Sequence, residues 1–523
     1  MFFLILLLGG VAALAYVLHK FYAQRHHLPP GPAPLPLIGN MHLIDVQNLG
    51  DQAYKWGKEY GGIYTLWLPW PTVVITDHKL MKEALINDGD TFAGRPFSAL
   101  NDIANGGAFG IANQEGPVWR EQRRFVLHTL REFGFGRNVM EQKIMYEIRR
   151  LTDHLSELCA DGQHDMDVSP PITVGHTPFR RFCVVRHIAG VIRVCIANII
   201  ANLVLGHTYE FDDARLDRLL KLADDMFVNM FSTGTGLLVE TVPILRHLPL
   251  PELKKIQAFA DGLLAFFREQ IEQHAQELQA KGDLSDEPED VVAAYLKEID
   301  RRKLANQDMG YFSREQLIGV VADLWVAGMD TTAATFRWII IFMCYHPNVQ
   351  AKVQAEIDSV IGRDRECTLS DRPSMPYTNA TILEAQRRGN IINSNLPHKT
   401  TKETKLAGYT IPAGTTVMPE IYSLMTNEVM FPDPAKFDPD RFLPPTEPDL
   451  IQRRVDHVLP FSLGKRVCLG ESLAKMELFL IFVSLMQKFE FKFPADQLEP
   501  SLKPEQHLTS YPAAYRVMVA KRK

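Results

Sequence analysis

A single cysteine stands in a short turn bounded by glycines, just before an apolar helix. The turn reads PFSLGKRVCLGE over 460–471, with Cys468 between Gly464 and Gly470 and close to Arg466. Glycine lets a backbone approach another group closely, while a neighbouring cation and a helix N-terminus both favour a thiolate. A buried structural thiol is the common alternative. In this setting we expect a thiolate that binds the metal of a cofactor.

Charge and cysteine content argue against several classes of function. The 523 residues carry 56 Lys and Arg against 62 Asp and Glu, a formal net charge of −6, without a long basic tract. Nucleic acid is therefore not an expected partner. The six cysteines are scattered and form no C-x-x-C pair, so we expect neither a disulfide framework nor a zinc site.

The first twenty residues predict a membrane anchor. Residues 2–18 form an uncharged run long enough to cross a bilayer, and the cations Lys20 and Arg25 follow it. This charge order predicts a lumenal N-terminus and a cytosolic body, with a cleaved signal peptide as the main alternative. The proline-rich segment 21–40 predicts a stiff linker, and 41–523 is predicted to form one domain.

Hydrophobic periodicity predicts a mainly α fold with small β regions, an α+β arrangement. Short β-branched runs occupy 41–75, helical patterns dominate the next three hundred residues, and 402–442 carries the Gly, Pro and Thr spacing of short hairpins. We therefore expect two small β regions, one before and one after a largely helical body.

The longest helix is expected over 313–346, from a capping box of Ser313 and Gln316 to Pro347. It is apolar almost all round, which a second membrane span would also explain. Three charged side chains recur on one face at seven-residue spacing, which would be costly in lipid; they are Asp323, Asp330 and Arg337. The pattern favours a buried central helix.

The middle of this helix contains a cluster of poor helix formers, AGMDTT over 327–332. The Thr331 hydroxyl can reach the Ala327 carbonyl four residues earlier and bend the helix. The bend is either simple helix chemistry or a polar notch at which dioxygen or water meets a proton donor.

Three further patterns have common structural explanations when each is taken alone. Glu384 and Arg387 stand at i, i+3, a spacing typical of solvated ion pairs, and Arg441 lies in a proline-constrained turn. Trp119 and Arg123 stand at i, i+4, where they either grip a carboxylate or form a surface cation–π pair.

Taken together, five motifs resemble the cytochrome P-450 superfamily. They are, in the family's order, WREQR (W-x-x-x-R), AGMDTT (oxygen activation), EAQR (E-x-x-R), FDPDRF (aromatic-Pro-Arg turn) and FSLGKRVCLG (F-x-x-G-x-R-x-C-x-G, the haem loop). The segment PPGPAPLPLIGN is similar to the N-terminal signature of microsomal members, and the chain as a whole resembles the animal family-two clan. The implied fold is the cytochrome P-450 fold, with a long central helix over haem and one N-terminal transmembrane helix.

The resemblance implies a role for each matching residue. Cys468 would be the axial thiolate on the iron of haem b, and Asp330 and Thr331 would relay protons to dioxygen. Glu384, Arg387 and Arg441 would form a buried charge network. The residues that would hold the haem are Arg95, Trp119, Arg123, His398, Phe461, Gly464, Arg466 and Gly470.

The implied reaction is monooxygenation of a small lipophilic substrate such as a steroid, fatty acid or foreign compound. The sequence shows no nicotinamide or nucleotide motif, so a separate NADPH-cytochrome reductase is expected in the same membrane, with cytochrome b5 as a second candidate donor. The resemblance implies the endoplasmic reticulum membrane with the catalytic domain on its cytosolic face. Two alternatives are a haem-thiolate isomerase or dehydratase and a non-catalytic, membrane-tethered haem sensor.

One stretch departs from the family pattern. Residues 175–194 carry four arginines and no acid, and they separate SPPITV from CIANIIANLVLG, which relatives are expected to join almost directly. Valine stands at both ends, at 174 and 194. The stretch is either a genuine surface insertion or a translated intron, and its composition suits neither a buried helix nor a tidy loop.

Overall fold

The computed structural model describes residues 25–522 except 26, 37, 46–47, 69, 135–137, 160–163, 168–187, 232–233, 281–287, 496–497 and 506–508. The predicted anchor over 1–20 lies outside these residues. The described part of the linker does not stand away from the body, because Thr65 N donates to Pro30 O at 3.0 Å. Asn40 Nδ2 likewise donates to Pro32 O at 3.1 Å.

Helices account for most of the regular structure. The α-helices are α1 Leu49–Tyr60, α2 His78–Lys82, α3 Ala99–Ala104, α4 Gly116–Glu132, α5 Asn138–Leu158, α6 Ile188–Leu205, α7 Ala214–Phe231, α8 Gly234–Thr241, α9 Pro251–Ala280, α10 Val291–Leu304, α11 Arg314–Tyr345, α12 Pro347–Val360, α13 Pro376–Gly389, α14 Ile421–Met425, α15 Pro448–His457 and α16 Glu471–Lys488. Shorter helical turns are Met41–Leu43, Glu83–Asn87, Pro243–His247, Leu369–Ser374, Pro439–Phe442 and Gly464–Arg466.

The strands are short and belong to small sheets. They are β1 Ile63–Trp67, β2 Pro71–Ile75, β3 His164–Asp167, β4 His398–Lys399, β5 Thr404–Leu406, β6 Tyr409–Ile411, β7 Thr416–Pro419, β8 Phe489–Lys492, β9 Pro504–Glu505, β10 Tyr511–Pro512 and β11 Arg516–Lys521. The prediction of a mainly α chain with small β regions is confirmed.

Contacts divide the chain into two compact units, and the single domain expected over 41–523 stays a prediction. The first unit comprises the described parts of Met1–Phe97, Ile392–Pro432 and Leu459–Cys468. Its main sheet has the order β1-β2-β7-β4, with β2 and β7 parallel and the other pairs antiparallel. The predicted hairpin is present as β5 and β6, whose turn places Ala407 and Gly408 at positive φ.

The second unit comprises the described parts of Ser98–Ile391, Asp433–Val458 and Leu469–Lys523. It holds an antiparallel sheet of order β3-β11-β8 and most of the long helices. Helix α11 is its centre and packs against α6, α9 and α13. The approach to α6 is close, since a Cβ at Gly328 would lie 2.7 Å from the Ile200 side chain.

Helix α11 is the buried central helix that the sequence predicts. Among the described residues it is the one helix that is long and apolar enough to cross a membrane. However, 67% of its apolar 18-residue segment is buried within the protein. Only one of the two hydrogen bonds of the predicted capping box forms. The Ser313 hydroxyl accepts from Gln316 N at 3.0 Å, but the Gln316 amide donates to Gly110 O at 2.7 Å instead.

The structure describes only the last part of the suspected insertion, 175–194. Its first part, 175–187, lies outside the described residues, whereas 188–194 forms the first two turns of α6. Ile188, Ile192 and Val194 are buried, so the expectation that this composition is unsuited to a buried helix is wrong for 188–194. The choice between genuine insertion and translated intron stays open.

Candidate functional site

In the first unit, the cysteine loop is held in one shape by its own backbone. Cys468 N donates to Phe461 O at 2.9 Å, which closes the loop and leaves the Cys468 side chain exposed. Gly464 has a φ of +76°, and a Cβ there would lie 1.8 Å from the carbonyl oxygen of Leu85. The loop therefore requires glycine at 464, as the sequence predicts.

Three of the predicted haem-holding side chains meet around the segment 92–95. The guanidinium of Arg95 donates to Pro397 O at 2.7 Å, and Arg466 Nε donates to Ala93 O at 2.8 Å. His398 is buried and places Nδ1 2.7 Å from Phe92 O. The family resemblance implied this grouping, although the three residues lie up to 371 positions apart.

The protonation of His398 shows what this group of residues would bind. A carbonyl oxygen only accepts, so Nδ1 carries the proton, and buried Nε2 has no hydrogen-bond partner among the described residues. Burial, with the charges of Arg95 and Arg466, lowers the pKa of His398 to about 3. A carboxylate placed beside Nε2 would favour protonation of this nitrogen, which could then donate to it. Arg95, Arg466 and His398 therefore offer the donors that the two propionates of a haem would require.

In the second unit, α11 contains the hydroxyl-to-carbonyl hydrogen bond that the sequence predicts. The Thr331 hydroxyl donates to Ala327 O at 2.8 Å, and Thr335 repeats the pattern by donating to Thr331 O at 2.9 Å. Ala327 is exposed and Thr331 partly exposed, although the residues on the opposite side of the helix are buried. The polar notch therefore opens on one side of an otherwise apolar helix.

Asp330 precedes Thr331 in α11, but its side chain bonds to residues of the C-terminal segment. Its side chain is buried, and its two oxygens accept hydrogen bonds from Thr509 Oγ1, at 2.7 Å, and from the Tyr511 hydroxyl. The Arg337 guanidinium lies 4.5 Å from the centre of the Tyr511 ring. The acid–alcohol pair is therefore present with its acid held by two uncharged donors.

The third member of the polar face, Asp323, binds a loop. Its Oδ2 accepts from the backbone N–H groups of Ile111, at 2.5 Å, and Ala112, at 2.9 Å. Burial raises the pKa of Asp323 to about 6, against the opposing effect of these hydrogen bonds. Asp323 and Asp330, which are seven residues apart on α11, therefore each bind a segment outside the helix.

The predicted charge network is buried. Arg387 forms a two-point ion pair with Glu384, at 2.7 and 2.8 Å, and neither side chain is exposed. Arg441 Nε lies 3.5 Å from Glu384 Oε1, and its Nη2 donates to Asp433 O at 2.7 Å. The solvated ion pair that the spacing alone suggests is therefore not what forms.

The remaining predicted residues have simpler surroundings. Trp119 is buried on α4, and Arg123 is partly buried one turn later. Phe461 is partly exposed in the cysteine loop. Gly470 directly precedes α16 with a φ of −89°, which any residue adopts, so its own backbone does not require glycine.

Two polar features were not expected from the sequence. The first is the hydrogen bond from the Tyr511 hydroxyl to Asp330. Glu477 lies fully inside α16, where burial raises its pKa to about 8 and Thr332 Oγ1 donates to it at 3.3 Å. An acid inside the apolar run MELFLIF was the available signal for Glu477, whereas nothing local marks Tyr511.

Comparison with known proteins agrees with this geometry. The family model described as Cytochrome P450 matches residues 29–519. Cytochrome P450 2D27 of Mesocricetus auratus is 35% identical over 93% of this chain and 92% of its own length. Cytochrome P450 2U1 of Bos taurus is 33% identical over 99% and 93%, and Cytochrome P450 2J2 of Homo sapiens is 34% identical over 98% and 95%. The chain therefore belongs to the cytochrome P450 family and is a haem-binding monooxygenase.

Proposed function

We propose that this enzyme inserts one oxygen atom of O2 into a small lipophilic substrate, a steroid, a fatty acid or a foreign compound. The balanced reaction takes substrate, O2, NADPH and a proton to hydroxylated product, water and NADP⁺. A separate NADPH-dependent flavoprotein reductase supplies the electrons one at a time, with cytochrome b5 as a further donor. The observation that carries the proposal is the intact pair of Asp330 and Thr331 beside the notch in α11.

Haem b supplies the binding and reductive activation of dioxygen. Cys468 is proposed as its axial ligand because it is exposed on a loop whose backbone is fixed. Arg95, His398 and Arg466 are proposed to bind the propionates, and Trp119, Arg123, Phe461, Gly464 and Gly470 to complete the site. Glu384, Arg387 and Arg441 are proposed as a structural network without a chemical role.

Thr331 and Asp330 are proposed to move protons. Thr331 is partly exposed at the notch, and its hydroxyl donates to Ala327 O. The hydroxyl oxygen can also accept a hydrogen bond from a further donor, such as water. Asp330 is the nearest acid along the helix and can return a proton to that side. A haem-thiolate isomerase or dehydratase, or a haem sensor, has no need of such a pair, which disfavours both alternatives.

The substrate class is argued from the apolar character of the residues proposed as pocket walls. In the second unit these include Leu324 and Ala327 on α11, both of which are accessible. An apolar wall with few polar groups is typical of sites for lipophilic molecules.

Membrane attachment at the endoplasmic reticulum, with the body on the cytosolic side, is proposed from the apolar run 2–18 and the cations that follow it. Protease treatment of sealed microsomes tests the orientation. Loss of the body from intact vesicles is expected, and its protection would contradict the proposal.

The experiment for the reaction measures NADPH, peroxide and product together. With purified reductase and a panel of lipophilic substrates, Thr331→Ala is expected to keep NADPH consumption but to release peroxide in place of product, reducing product per NADPH by about tenfold or more. The matched control is Thr335→Ala, which removes the same kind of hydroxyl-to-carbonyl bond one turn later. Unchanged coupling in Thr331→Ala would remove Thr331 from the mechanism.

A further inference from the structure

The buried carboxylate of Asp330 is satisfied by hydroxyl groups and not by an ion pair. Thr509 Oγ1 donates to Asp330 Oδ2 at 2.7 Å, and the Tyr511 hydroxyl donates to Oδ1. A carboxylate that is 5% exposed has lost most of its hydration and needs hydrogen-bond donors from the protein. The two hydroxyls supply the hydrogen bonds that water no longer provides.

These donors are held in place independently of Asp330. The backbone of Ser510, between them, is fixed on both sides: Trp338 Nε1 donates to Ser510 O at 2.9 Å, and Ser510 N donates to Ile391 O at 2.7 Å. All of these residues lie in the second unit. The donors therefore present a fixed geometry to which the carboxylate conforms.

The charges around this contact come from three helices. Arg337, on α11 itself, lies against the Tyr511 ring, and Arg193, on α6, forms a two-point ion pair with Asp224 on α7, at 2.5 and 2.7 Å. Burial and then the charge of Asp330 raise the pKa of Tyr511 well above its usual range. Tyr511 is consequently a protonated donor throughout the working pH range.

Position on the helix connects this contact to the notch. Successive residues on an α-helix point about 100° apart, so Asp330 faces the C-terminal segment while Thr331 faces the accessible side. The Asp330 carboxylate exchanges a proton with the Thr331 side only by turning from its hydroxyl donors. The strength of the two hydrogen bonds therefore controls the direction of the carboxylate.

We propose that Tyr511 and Thr509 are positioning residues for Asp330, holding its carboxylate in one orientation on the side of α11 that faces the C-terminal segment. They thereby control when the carboxylate turns towards Thr331, and with it the product formed per NADPH. This inference rests on the proposed role of Asp330 and Thr331 in proton transfer.

The test uses the full chain and compares variants that differ by one hydroxyl. Tyr511→Phe and Thr509→Val remove a donor, and Thr509→Ser retains it. Tyr515→Phe is the matched control, because its hydroxyl lies in the same segment and is buried but donates to Arg337 O at 2.5 Å. The variants are first compared by the carbon monoxide difference spectrum, which is expected to show equal haem loading.

The first readout is product formed per NADPH. Loss of one donor leaves the carboxylate without a fixed direction, so product per NADPH is expected to fall by about threefold or more. Tyr511→Phe and Thr509→Val are expected to show this fall, and Thr509→Ser and Tyr515→Phe to keep the wild-type ratio. A purely structural role for Tyr511 would lower stability without changing product per NADPH, and that result would overturn the proposal.

The second readout does not depend on turnover. Unfolding midpoints of wild type, Tyr511→Phe, Asp330→Ala and the double variant form a cycle, in which Tyr511→Phe is expected to have a much smaller effect once Asp330 is absent. An additive cycle would overturn the proposal. If the wild-type chain formed no oxygenated product, the proposed function would fail while the cycle still tested the contact.

Discussion

At the scale of single residues, the backbone at Gly464 sets the strictest requirement in the cysteine loop. Positive φ costs an ordinary residue about 1–2 kcal/mol, and here the Leu85 carbonyl also occupies the space that a Cβ needs. We expect Gly464→Ala to lower the free energy of unfolding by at least about 3 kcal/mol and to weaken the red-shifted carbon monoxide band. Denaturant titration and the difference spectrum measure the two effects.

A second glycine of the first unit separates backbone strain from steric clash. Gly408 has a φ of +82°, similar to Gly464, but no atom of the described chain lies within 4 Å of a Cβ placed there. Gly408→Ala is expected to cost only the strain of positive φ and to leave the band intact. Equal losses in the two variants would show that the Leu85 carbonyl is not the constraint.

At the scale of elements, Asp323 joins α11 to the loop that precedes α4. One carboxylate oxygen accepts from two successive backbone N–H groups, those of Ile111 and Ala112, and the close approach of Gly110 leaves no room for a side chain. Two N–H groups beside an apolar helix would otherwise lose a hydrogen-bond acceptor. The loop is therefore attached to the helix by a group that titrates.

The pKa of Asp323 makes the strength of this attachment pH-dependent. Its folded pKa of about 6 is above the ordinary aspartate value of 3.8, so the folded state loses stability as pH rises from about 4 to about 6, because ionisation is easier in the unfolded chain. Asp323→Asn keeps an acceptor oxygen and does not titrate. Its stability relative to wild type is expected to rise by about 2–3 kcal/mol over this range.

Denaturant unfolding at pH 4, 5, 6 and 7 measures this difference, in which the other carboxyl groups cancel. Asp323→Ala is the control, since it leaves the Ile111 and Ala112 N–H groups without their acceptor and is expected to be less stable than Asp323→Asn throughout. A difference between Asp323→Asn and wild type that stays constant with pH would contradict the prediction.

Comparing these elements shows where sequence reasoning succeeds. The Thr331 bond to Ala327 is local, so spacing along one helix was enough to predict it. The grouping of Arg95 with His398 came only from resemblance to a family. The Tyr511 contact with Asp330 joins positions 181 residues apart without a motif, and tertiary packing alone determines it. Half of the capping box failed because Gly110 O was a competing acceptor for Gln316.

At the scale of the whole molecule, the stretch 175–194 determines how α6 begins. The last three residues of the stretch are Ile192, Arg193 and Val194, and the sequence Ile172-Thr173-Val174 stands twenty positions earlier. Deletion of 175–194 would join this triplet directly to Cys195. Within these three positions, the buried Ile192 and Val194 would be replaced by identical residues, and Arg193 would be replaced by threonine.

The shortened chain also carries its own helix start. Ser169 followed by Pro170 and Pro171 is a favourable start for a helix, because serine caps well and proline is tolerated in the first turn. The change at 193 removes the ion pair with Asp224, whose side chain is 38% exposed and can regain water. We therefore expect the chain without 175–194 to fold, with an unfolding midpoint no lower than that of the full chain.

The measurement is the reduced carbon monoxide difference spectrum of membranes that contain either chain, normalised to protein. A band from the shortened chain at least as strong as that from the full chain is expected, since the two buried side chains next to Cys195 are restored and the proline pair falls in the first turn of the helix. Arg193→Thr in the full chain is the control, because it isolates loss of the Asp224 ion pair from loss of the stretch. A band from the full chain alone would show that 175–194 is a required part of the fold.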